Sequence, residues 1–239
     1  MRKVLITGGS RGIGRACVEK FISEGDCVAF VYRTSDADAN ELAQRTGANL
    51  IKSDVSSPEG AKNAAKKALE LLCGIDILIN NAGISCTGLL TELSYDGWRR
   101  VLDTNLTSAY CLCRELIPGM VSRKYGSILN IGSVWGNYGA SCEVAYSASK
   151  AGLRGFTLAL ARELGPSGIT VNCLEPGVID TDMNASYDTD ERKALESAAA
   201  LCRIGKPWEV AEAAYFLTSD KARFITAQTL GVDGGFPFG

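Results

Sequence analysis

The sequence predicts an α/β fold, a doubly wound parallel sheet with helices on both faces. Short and almost wholly apolar runs alternate along the chain with longer stretches of helical pattern, as is typical of parallel strands joined by helices. These runs lack polar alternation, which is expected when both faces of a sheet are covered. In chain order, the predicted strands are residues 4–7, 28–32, 49–52, 75–79, 127–131 and 169–174.

The chain of 239 residues is predicted to form one domain, residues 1–239. No internal repeat, low-complexity run or proline-rich linker marks a boundary. After Pro176 and Gly177 the chain becomes polar and rich in alanine. We expect residues 178–200 to form a mobile helical cover over a ligand site, where substrate would be selected.

Composition narrows the classes of function. Apolar residues make up 46% of the chain, charged residues 22%, and the formal charge is −2, so we expect a globular protein that binds no nucleic acid. The apolar run after Met1, Arg2 and Lys3 is far shorter than an export signal, and no membrane segment is predicted. Nine scattered cysteines without CxxC spacing are typical of reduced thiols in a cytoplasmic protein.

Histidine is absent from the sequence. This excludes Ser-His-Asp triads, HExxH zinc sites and histidine acid–base steps, and no metal site is predicted. Any proton transfer must therefore use tyrosine, lysine, cysteine or a carboxylate.

A glycine-rich segment, TGGSRGIG at residues 7–14, follows the first strand and opens a helix. Backbone N–H groups at such a helix start can bind a pyrophosphate, and glycines allow close approach. An ordinary glycine-rich turn is the alternative, but the strand–turn–helix setting favours dinucleotide binding. A single-domain Rossmann-type fold is therefore expected.

The end of the second strand indicates which dinucleotide is bound. NAD-binding proteins usually place an acidic residue there for the ribose 2'-hydroxyl, whereas this chain reads VYRTS at residues 31–35. Arg33, assisted by Arg11, could instead bind a 2'-phosphate through a fork of guanidinium donors. NADPH is thus predicted, with two solvated surface arginines as the alternative.

Tyr146 and Lys150 are four residues apart near the start of a helical pattern that reaches Leu164, so both lie on one helix face. We expect the Lys150 ammonium to lower the pKa of Tyr146 and make it a better acid. A chance pair on a solvated face is the alternative for these two residues alone.

Taken together, the motifs resemble those of the short-chain dehydrogenase/reductase family. They are TGGSRGIG at residues 7–14, NNAG at 80–83, Asn105 in DTNL, Ser133, Tyr146 with Lys150, and Pro176 with Gly177. They cover essentially the whole chain. The resemblance implies hydride transfer to a ketone, with the carbon chemistry supplied by the cofactor.

Residue roles follow from that resemblance. It implies that Tyr146 is the general acid, Ser133 binds the substrate carbonyl, Lys150 also holds the nicotinamide ribose, and Asn105 anchors a water leading to Lys150. Asp54 would contact adenine, although an Asp at a strand end is equally typical of a local cap. The implied cofactor-binding residues are Gly8, Ser10, Arg11, Gly12, Ile13, Gly14, Arg33, Asp54, Asn81, Ala82, Gly83, Tyr146, Lys150, Pro176, Gly177, Val178 and Thr181.

Within the family, the chain most resembles the 3-oxoacyl-[acyl-carrier-protein] reductases, through GSV at residues 132–134, GITVN at 168–172 and GVDGGF at 231–236. This implies a homotetramer. Of the two basic positions that grip the carrier protein in those enzymes, one corresponds to Lys124 and the other to Ser167.

Two other functions stay open. Residues 135–147 resemble a stretch of the 5-aminopentanone reductases that act on modified elongation factor P, so the ketone could be small or tethered to a protein. A non-catalytic NADPH-binding regulator is the alternative from another class, although such proteins typically lose the Tyr or the Lys.

Two carboxylates depart from the pattern of the carrier-protein reductases: Glu143, three residues before Tyr146, and Glu175, just before Pro176. We expect Glu143 to line the substrate cleft, accompanied by Glu175, and to bind a cationic ketone. The alternative is that each carboxylate is solvated or structural, for example by capping the helix that carries Tyr146.

Overall fold

A computed structural model describes residues 1–184 and 187–236 and contains a seven-stranded parallel sheet in the order β3-β2-β1-β4-β5-β6-β7. The predicted Rossmann-type fold, doubly wound with helices on both faces, is confirmed. The strands are β1 (Lys3–Thr7), β2 (Cys27–Tyr32), β3 (Asn49–Lys52), β4 (Ile77–Asn80), β5 (Gly126–Ile131), β6 (Ile169–Pro176) and β7 (Thr229–Val232).

Nine α-helices lie within the described residues, and most of them connect successive strands. A π-helical turn, Asp103–Thr107, joins the fourth and fifth helices. The helices are α1 (Gly12–Ser23), α2 (Asp36–Thr46), α3 (Pro58–Leu72), α4 (Tyr95–Leu102), α5 (Ser108–Arg123), α6 (Trp135–Tyr138), α7 (Val144–Leu164), α8 (Thr189–Ser197) and α9 (Pro207–Leu217).

Two apolar cores cover the two faces of the sheet. Alternate strand residues face opposite sides, so Leu5 packs with α3, α5 and α7, while Val4 and Ile6 pack with α1, α2 and α9. This double burial explains why the strands read as continuous apolar runs.

The strand order places a crevice between β1 and β4. The chain runs from β1 outward to β2 and β3, and then returns to the other side of β1 with β4. Helical connections therefore diverge at this point, and ligands of such sheets bind there, beyond the carboxyl ends of the strands. The carboxyl ends of β1, β2, β4, β5, β6 and β7 carry the motifs TGGSRGIG, VYRTS, NNAG, GSV, PG and GVDGGF, in that order, whereas GITVN lies at the start of β6.

A buried polar chain ties the centre of the sheet to α7. Asn80 at the end of β4 donates from Nδ2 to Oδ1 of Asn130 on β5, at 2.8 Å, and Asn130 donates to the Thr157 hydroxyl of α7 at 2.8 Å. Because buried polar groups fix one arrangement when their partners are present, this chain holds α7 in register with the strands.

The fold lacks two features across the described residues. Among the helices of residues 1–184 and 187–236, none combines the length and the apolar character that a membrane crossing requires. No group of three or more Cys, Asp or Glu side chains could hold a metal ion in that same part of the chain.

Candidate active site

A cleft of about 790 Å³ opens at the carboxyl edge of the sheet, a volume typical of small-molecule sites. It is lined by most of the residues that the sequence singled out, although their contacts with a ligand stay predictions. Those residues are Gly8, Ser10, Arg11, Gly12, Ile13, Arg33, Asp54, Asn81, Ala82, Gly83, Ser133, Glu143, Tyr146, Lys150, Pro176, Gly177, Val178 and Thr181.

Two of the predicted site residues, Gly14 and Asn105, do not line the cleft. A Cβ on Gly14 would come within 2.1 Å of the Gly8 carbonyl oxygen, so glycine is required where α1 passes under the loop. The first turn of α1 receives no side-chain cap from Arg11, its N-cap residue. Uncapped N–H groups at a helix start are suited to an anion, and the loop therefore fits a dinucleotide pyrophosphate.

Thr7 supports this loop, a role that the sequence analysis missed. Its side chain is buried, and its Oγ1 accepts hydrogen bonds from the backbone N–H groups of Asn81 (3.0 Å) and Ala82 (2.9 Å). Asn81 in turn donates through its amide to the carbonyls of Thr7 and Gly8. The first and fourth strands are thereby locked together beneath the cleft. The Thr that begins the glycine motif was the available signal.

Both arginines that were assigned to a 2'-phosphate lie at the cleft, each beside a carboxylate. Arg33 Nη1 is 3.7 Å from Asp54 Oδ2, and Arg11 Nη1 is 3.3 Å from Asp182 Oδ2. These exposed pairs are weak, so a phosphate could exchange with the carboxylates. Binding of a 2'-phosphate by these two arginines stays a prediction.

Asp54 makes the local contacts of a turn while also lining the cleft. It accepts hydrogen bonds from the Ser56 backbone N–H (3.0 Å) and hydroxyl (2.6 Å). Burial raises the pKa of Asp54, but these hydrogen bonds and the Arg33 charge outweigh it and lower the pKa below its ordinary value. Asp54 is thus an ionised group beside Arg33 in the cleft lining, and its position is compatible both with a contact to adenine and with a local cap.

The Tyr146 phenol is buried at the centre of the cleft, with 9% of the residue exposed. Burial raises its pKa to about 12, the Ser133 hydroxyl acts in the opposite direction, and the charge of Glu143 raises it further. The expectation that Lys150 lowers this pKa is wrong for this structure, because desolvation of the phenolate dominates. Tyr146 is therefore a neutral phenol at pH 7, as a proton donor must be.

Ser133 lies beside Tyr146 at the end of β5. Its Oγ accepts the backbone N–H of Trp135 at 3.2 Å, which leaves the hydroxyl proton available to a group in the cleft. Two hydroxyl donors thus converge where a carbonyl oxygen could be bound.

Lys150 lies beneath Tyr146, with 4% of the residue exposed and Nζ 5.6 Å from the phenol ring centroid. Nζ donates to the Ile131 carbonyl oxygen at 2.7 Å. Burial lowers the pKa of Lys150 to about 8, and the nearby Cys173 opposes this only in part. Lys150 thus stays mostly protonated near pH 7, but its charge is weakly compensated.

Asn105 is fixed within the π-helical turn by protein groups. Its Oδ1 accepts the Ile84 N–H at 2.8 Å, and its Nδ2 donates to the Ile84 carbonyl (2.9 Å) and the Ser149 hydroxyl (3.0 Å). Asn105 therefore joins the loop after β4 to α7. Its part in a water path to Lys150 stays a prediction.

The two unexpected carboxylates separate in the structure. Glu143 lines the cleft, whereas Glu175 is buried at the end of β6 and lies outside the cleft lining. The expectation that both face the cleft is wrong for Glu175, because its side chain packs beside Gly132 within the sheet. Burial raises the pKa of Glu175, with Arg154 opposing and Asp233 reinforcing the effect.

The expected cover, residues 178–200, borders the cleft. Within it the structure describes a 3₁₀ turn, Asp182–Asn184, and α8. Its residues Val178, Thr181, Met183, Tyr187 and Glu191 line the cavity. Residues 185 and 186 lie outside the described part, and the mobility of the segment stays a prediction.

A family model described as enoyl-(acyl carrier protein) reductase matches residues 8–237. The chain belongs to the short-chain dehydrogenase/reductase family. It is therefore an oxidoreductase acting on a carbonyl or hydroxyl group, and the predicted family is confirmed.

Individual relatives cover nearly the whole chain. A 3-oxoacyl-[acyl-carrier-protein] reductase of Vibrio harveyi is 41% identical over 97% of this chain and 95% of the relative. An oxidoreductase of Bacillus subtilis strain 168, YmfI, described as uncharacterized, is 36% identical over 98% of both chains. A blue fluorescent protein from a metagenomic library, solved in complex with NADPH, has a TM-score of 0.92 and 34% identity, covering 98% of this chain and 97% of the other. Similarity of this order across differently described proteins establishes the reductase core but selects no substrate.

The buried ammonium of Lys150 leads to a prediction about stability. In the unfolded chain Lys150 has its ordinary pKa of 10.5, whereas in the folded chain its pKa is about 8. Below pH 8, folding must therefore bury a charged ammonium, which lowers the free energy of unfolding. This loss of stability disappears as the pH rises from 8 to 10.5. A shift of that size is worth about 3 kcal/mol, and loss of the Ile131 hydrogen bond offsets about 1 kcal/mol.

Lys150→Met should therefore raise the Tm of the nucleotide-free protein at pH 7, and the gain should shrink towards pH 10. The same variant should lose turnover and bind NADPH more weakly. Thermal unfolding between pH 6 and 10, with NADPH titrations, checks both effects. A variant less stable than the unmodified protein at pH 7 would contradict the assigned burial cost.

Proposed function

We propose that this protein reduces a ketone to a secondary alcohol with NADPH, using Tyr146 as the proton donor. The observation that carries the proposal is the burial of the Tyr146 and Ser133 hydroxyls side by side in the cleft, directly above Lys150. The glycine loop that fits a pyrophosphate opens into the same cavity.

NADP(H) is the cofactor of this reductase, in line with its family and with the NADPH-bound relative. The chain's own residues support this choice, because Arg11 and Arg33 lie at the cleft and no carboxylate occupies residues 31–35. Arg11 and Arg33 would bind the 2'-phosphate, Lys150 the nicotinamide ribose, and Val178 with Thr181 the carboxamide.

The cleft side chains have separate roles in the reduction. NADPH supplies a hydride to the carbonyl carbon when bound. The Ser133 and Tyr146 hydroxyls donate to the carbonyl oxygen and stabilise the negative charge that develops there. Tyr146 then transfers its proton to that oxygen, giving the alcohol. The raised pKa keeps Tyr146 protonated at neutral pH, which is the form that donates a proton in the reduction.

The leading substrate class is a 3-oxoacyl thioester, supported by the Vibrio harveyi relative. A second candidate is the 5-aminopentanone group of modified elongation factor P, favoured by the carboxylate of Glu143 in the cleft. A regulator without catalysis is disfavoured, since Ser133, Tyr146 and Lys150 are all in place.

Assembly and location are part of the proposal. The likeness to the carrier-protein reductases supports a homotetramer. All nine cysteines, which lie within the described part of the chain, are free thiols, and this supports a cytoplasmic location.

The function is tested by following NADPH oxidation with an acetoacetyl thioester, a small diketone and elongation factor P that bears the aminopentanone. We expect turnover on at least one of them. Tyr146→Phe should fold and bind NADPH but lose at least a hundredfold in kcat, because it deletes the proton donor and keeps the ring. Near-normal turnover by this variant would rule out the mechanism.

Cofactor choice has its own test. The unmodified enzyme should favour NADPH over NADH in kcat/KM, and Arg33→Ala should reduce that preference roughly tenfold or more by removing a charge-assisted contact. The matched variant Arg99→Ala, on α4 outside the cleft lining, should keep the preference. Equal kcat/KM for the two cofactors in the unmodified enzyme would refute the assignment.

A further inference from the structure

Trp135 has the largest apolar side chain that lines the cleft. It is the first residue of α6, two residues after Ser133, and it is half-buried. Its backbone N–H donates to Ser133 Oγ at 3.2 Å, so Trp135 is attached to one of the two hydroxyls that would bind the ketone. The proposed reduction assigns no role to its indole.

The indole separates the cleft from an apolar cluster behind it. It packs against the cluster that contains Tyr146 and also against a second cluster, which contains Ala199 and Phe236. The Phe236 ring meets it edge to face, with ring centroids 5.3 Å apart and an interplanar angle of 89°. Tyr146 lines the cleft, whereas Ala199 and Phe236 do not. Trp135 is therefore the boundary of the cleft on the side of the second cluster.

The backbone of Trp135 is held in place by the contact between α6 and α7. A Cβ on Gly136 would lie 2.8 Å from the carbonyl carbon of Lys150 and 2.9 Å from the backbone nitrogen of Ala151. In the same short helix, Asn137 Oδ1 accepts a hydrogen bond from Arg154 Nη1 of α7 at 2.7 Å. Trp135 thus cannot retreat from the cleft unless α6 separates from α7.

The residues behind the indole are also closely packed. Phe236 is buried, with 7% of the residue exposed. The chain just before it contacts the end of the cover segment: a Cβ on Gly235 would lie 2.8 Å from Ala200 Cβ, and the Leu201 N–H donates to the Gly234 carbonyl at 3.0 Å. Close-packed interiors accept extra atoms poorly, so the indole has no easy way to swing towards Phe236.

We propose that Trp135 is a specificity-determining residue that limits the length of the substrate, so that this reductase acts on ketones with a short carbon chain on the inner side of the carbonyl. The inference rests on the proposed ketone reduction and narrows its substrate class. A thioester tethered to a carrier must keep its sulfur at the mouth of the cleft, so its acyl chain points inward to the indole. A longer chain would have to displace Trp135, and overpacking of this kind lowers kcat/KM by roughly tenfold or more.

A purely structural role is the competing explanation, in which Trp135 only supports Phe236 and the end of the chain. Trp135→Ala removes the boundary, and Trp135→Phe shortens it while keeping a ring against Phe236. Trp98→Ala is the matched control. Trp98 is a half-buried tryptophan on α4 that packs against the same cluster as Tyr146, but it does not line the cleft.

The experiment follows NADPH oxidation with N-acetylcysteamine thioesters of the 3-oxobutyryl, 3-oxohexanoyl, 3-oxooctanoyl and 3-oxodecanoyl groups. An open apolar cleft would favour the longer chains, because each buried methylene adds binding energy. We expect the opposite for the unmodified enzyme, a fall in kcat/KM of at least about tenfold between the shortest and the longest chain.

The variants should change this profile in a graded way. Trp135→Ala should raise kcat/KM for the two longest chains roughly tenfold and leave the 3-oxobutyryl thioester within about threefold, with Trp135→Phe in between. Trp98→Ala should keep the decline with length, even if its Tm is lower. A kcat/KM that rises with chain length in the unmodified enzyme would overturn the limit, whatever the variants do.

Equal changes at every chain length in both Trp135 variants would also overturn the proposal, since they would show that the indole serves only the structure. If no thioester is reduced, the proposed function is at fault for this class. Calorimetric binding of the same thioesters to the NADPH complex then decides the role of Trp135. Affinity that falls with length, and falls less in Trp135→Ala, would support the boundary, and any other pattern would reject it.

Discussion

Burial of the Lys150 ammonium at the carboxyl edge of the sheet is the constraint on which the active site depends. A charge with 4% of its residue exposed needs a partner, and the Ile131 carbonyl at the end of β5 provides one. The surrounding backbone comes very close: a Cβ on Gly136 would lie 2.9 Å from Lys150 Cβ, and Gly83 lies against Nζ. Such packing fixes α7, and with it Tyr146, relative to the strands. We expect this preorganised site to cost the protein stability.

Hydrogen bonds between buried side chains hold further segments in fixed positions around α7. Asn80, Asn130 and Thr157 link two central strands to α7, and Asn105 links the loop after β4 to Ser149 of the same helix. Each contact joins segments distant in sequence, so the catalytic hydroxyls are positioned by the fold and not by their immediate neighbours. Their chemistry follows from this burial. Desolvation keeps Tyr146 neutral, and a neutral phenol between a hydroxyl donor and an ammonium is arranged to give up its proton to an alkoxide.

Local sequence patterns predicted most of the strands and most of the residues that line the cleft. Apolar runs predicted six of the strands, because burial of both sheet faces leaves a strong signal. The largest differences are in β4, which is Ile77–Asn80 and not 75–79, and in β6, which extends to Pro176. The strand β7 was not predicted, since Thr229–Val232 is a four-residue edge strand that includes a glycine. The motif residues reach one cleft because parallel strands end at a common edge. What the sequence could not supply were contacts between distant residues: Arg11 with Asp182, the Thr7 hydrogen bonds, and the burial of Glu175. The pKa of Tyr146 also depends on how deeply the phenol is buried, and the spacing of residues along a helix does not reveal this.

The most direct test of the central claim, that this site delivers hydride to a carbonyl carbon and a proton from Tyr146 to its oxygen, is the fate of deuterium. NADPH labelled with deuterium at the transferable position of C4 would be oxidised in the presence of a ketone that the enzyme accepts, and the product analysed by mass spectrometry and NMR. The account predicts one deuterium per product molecule, bound to the carbinol carbon, with the hydroxyl proton exchanging with solvent. NADPH that binds without transferring label, or label found at any other carbon, would contradict it.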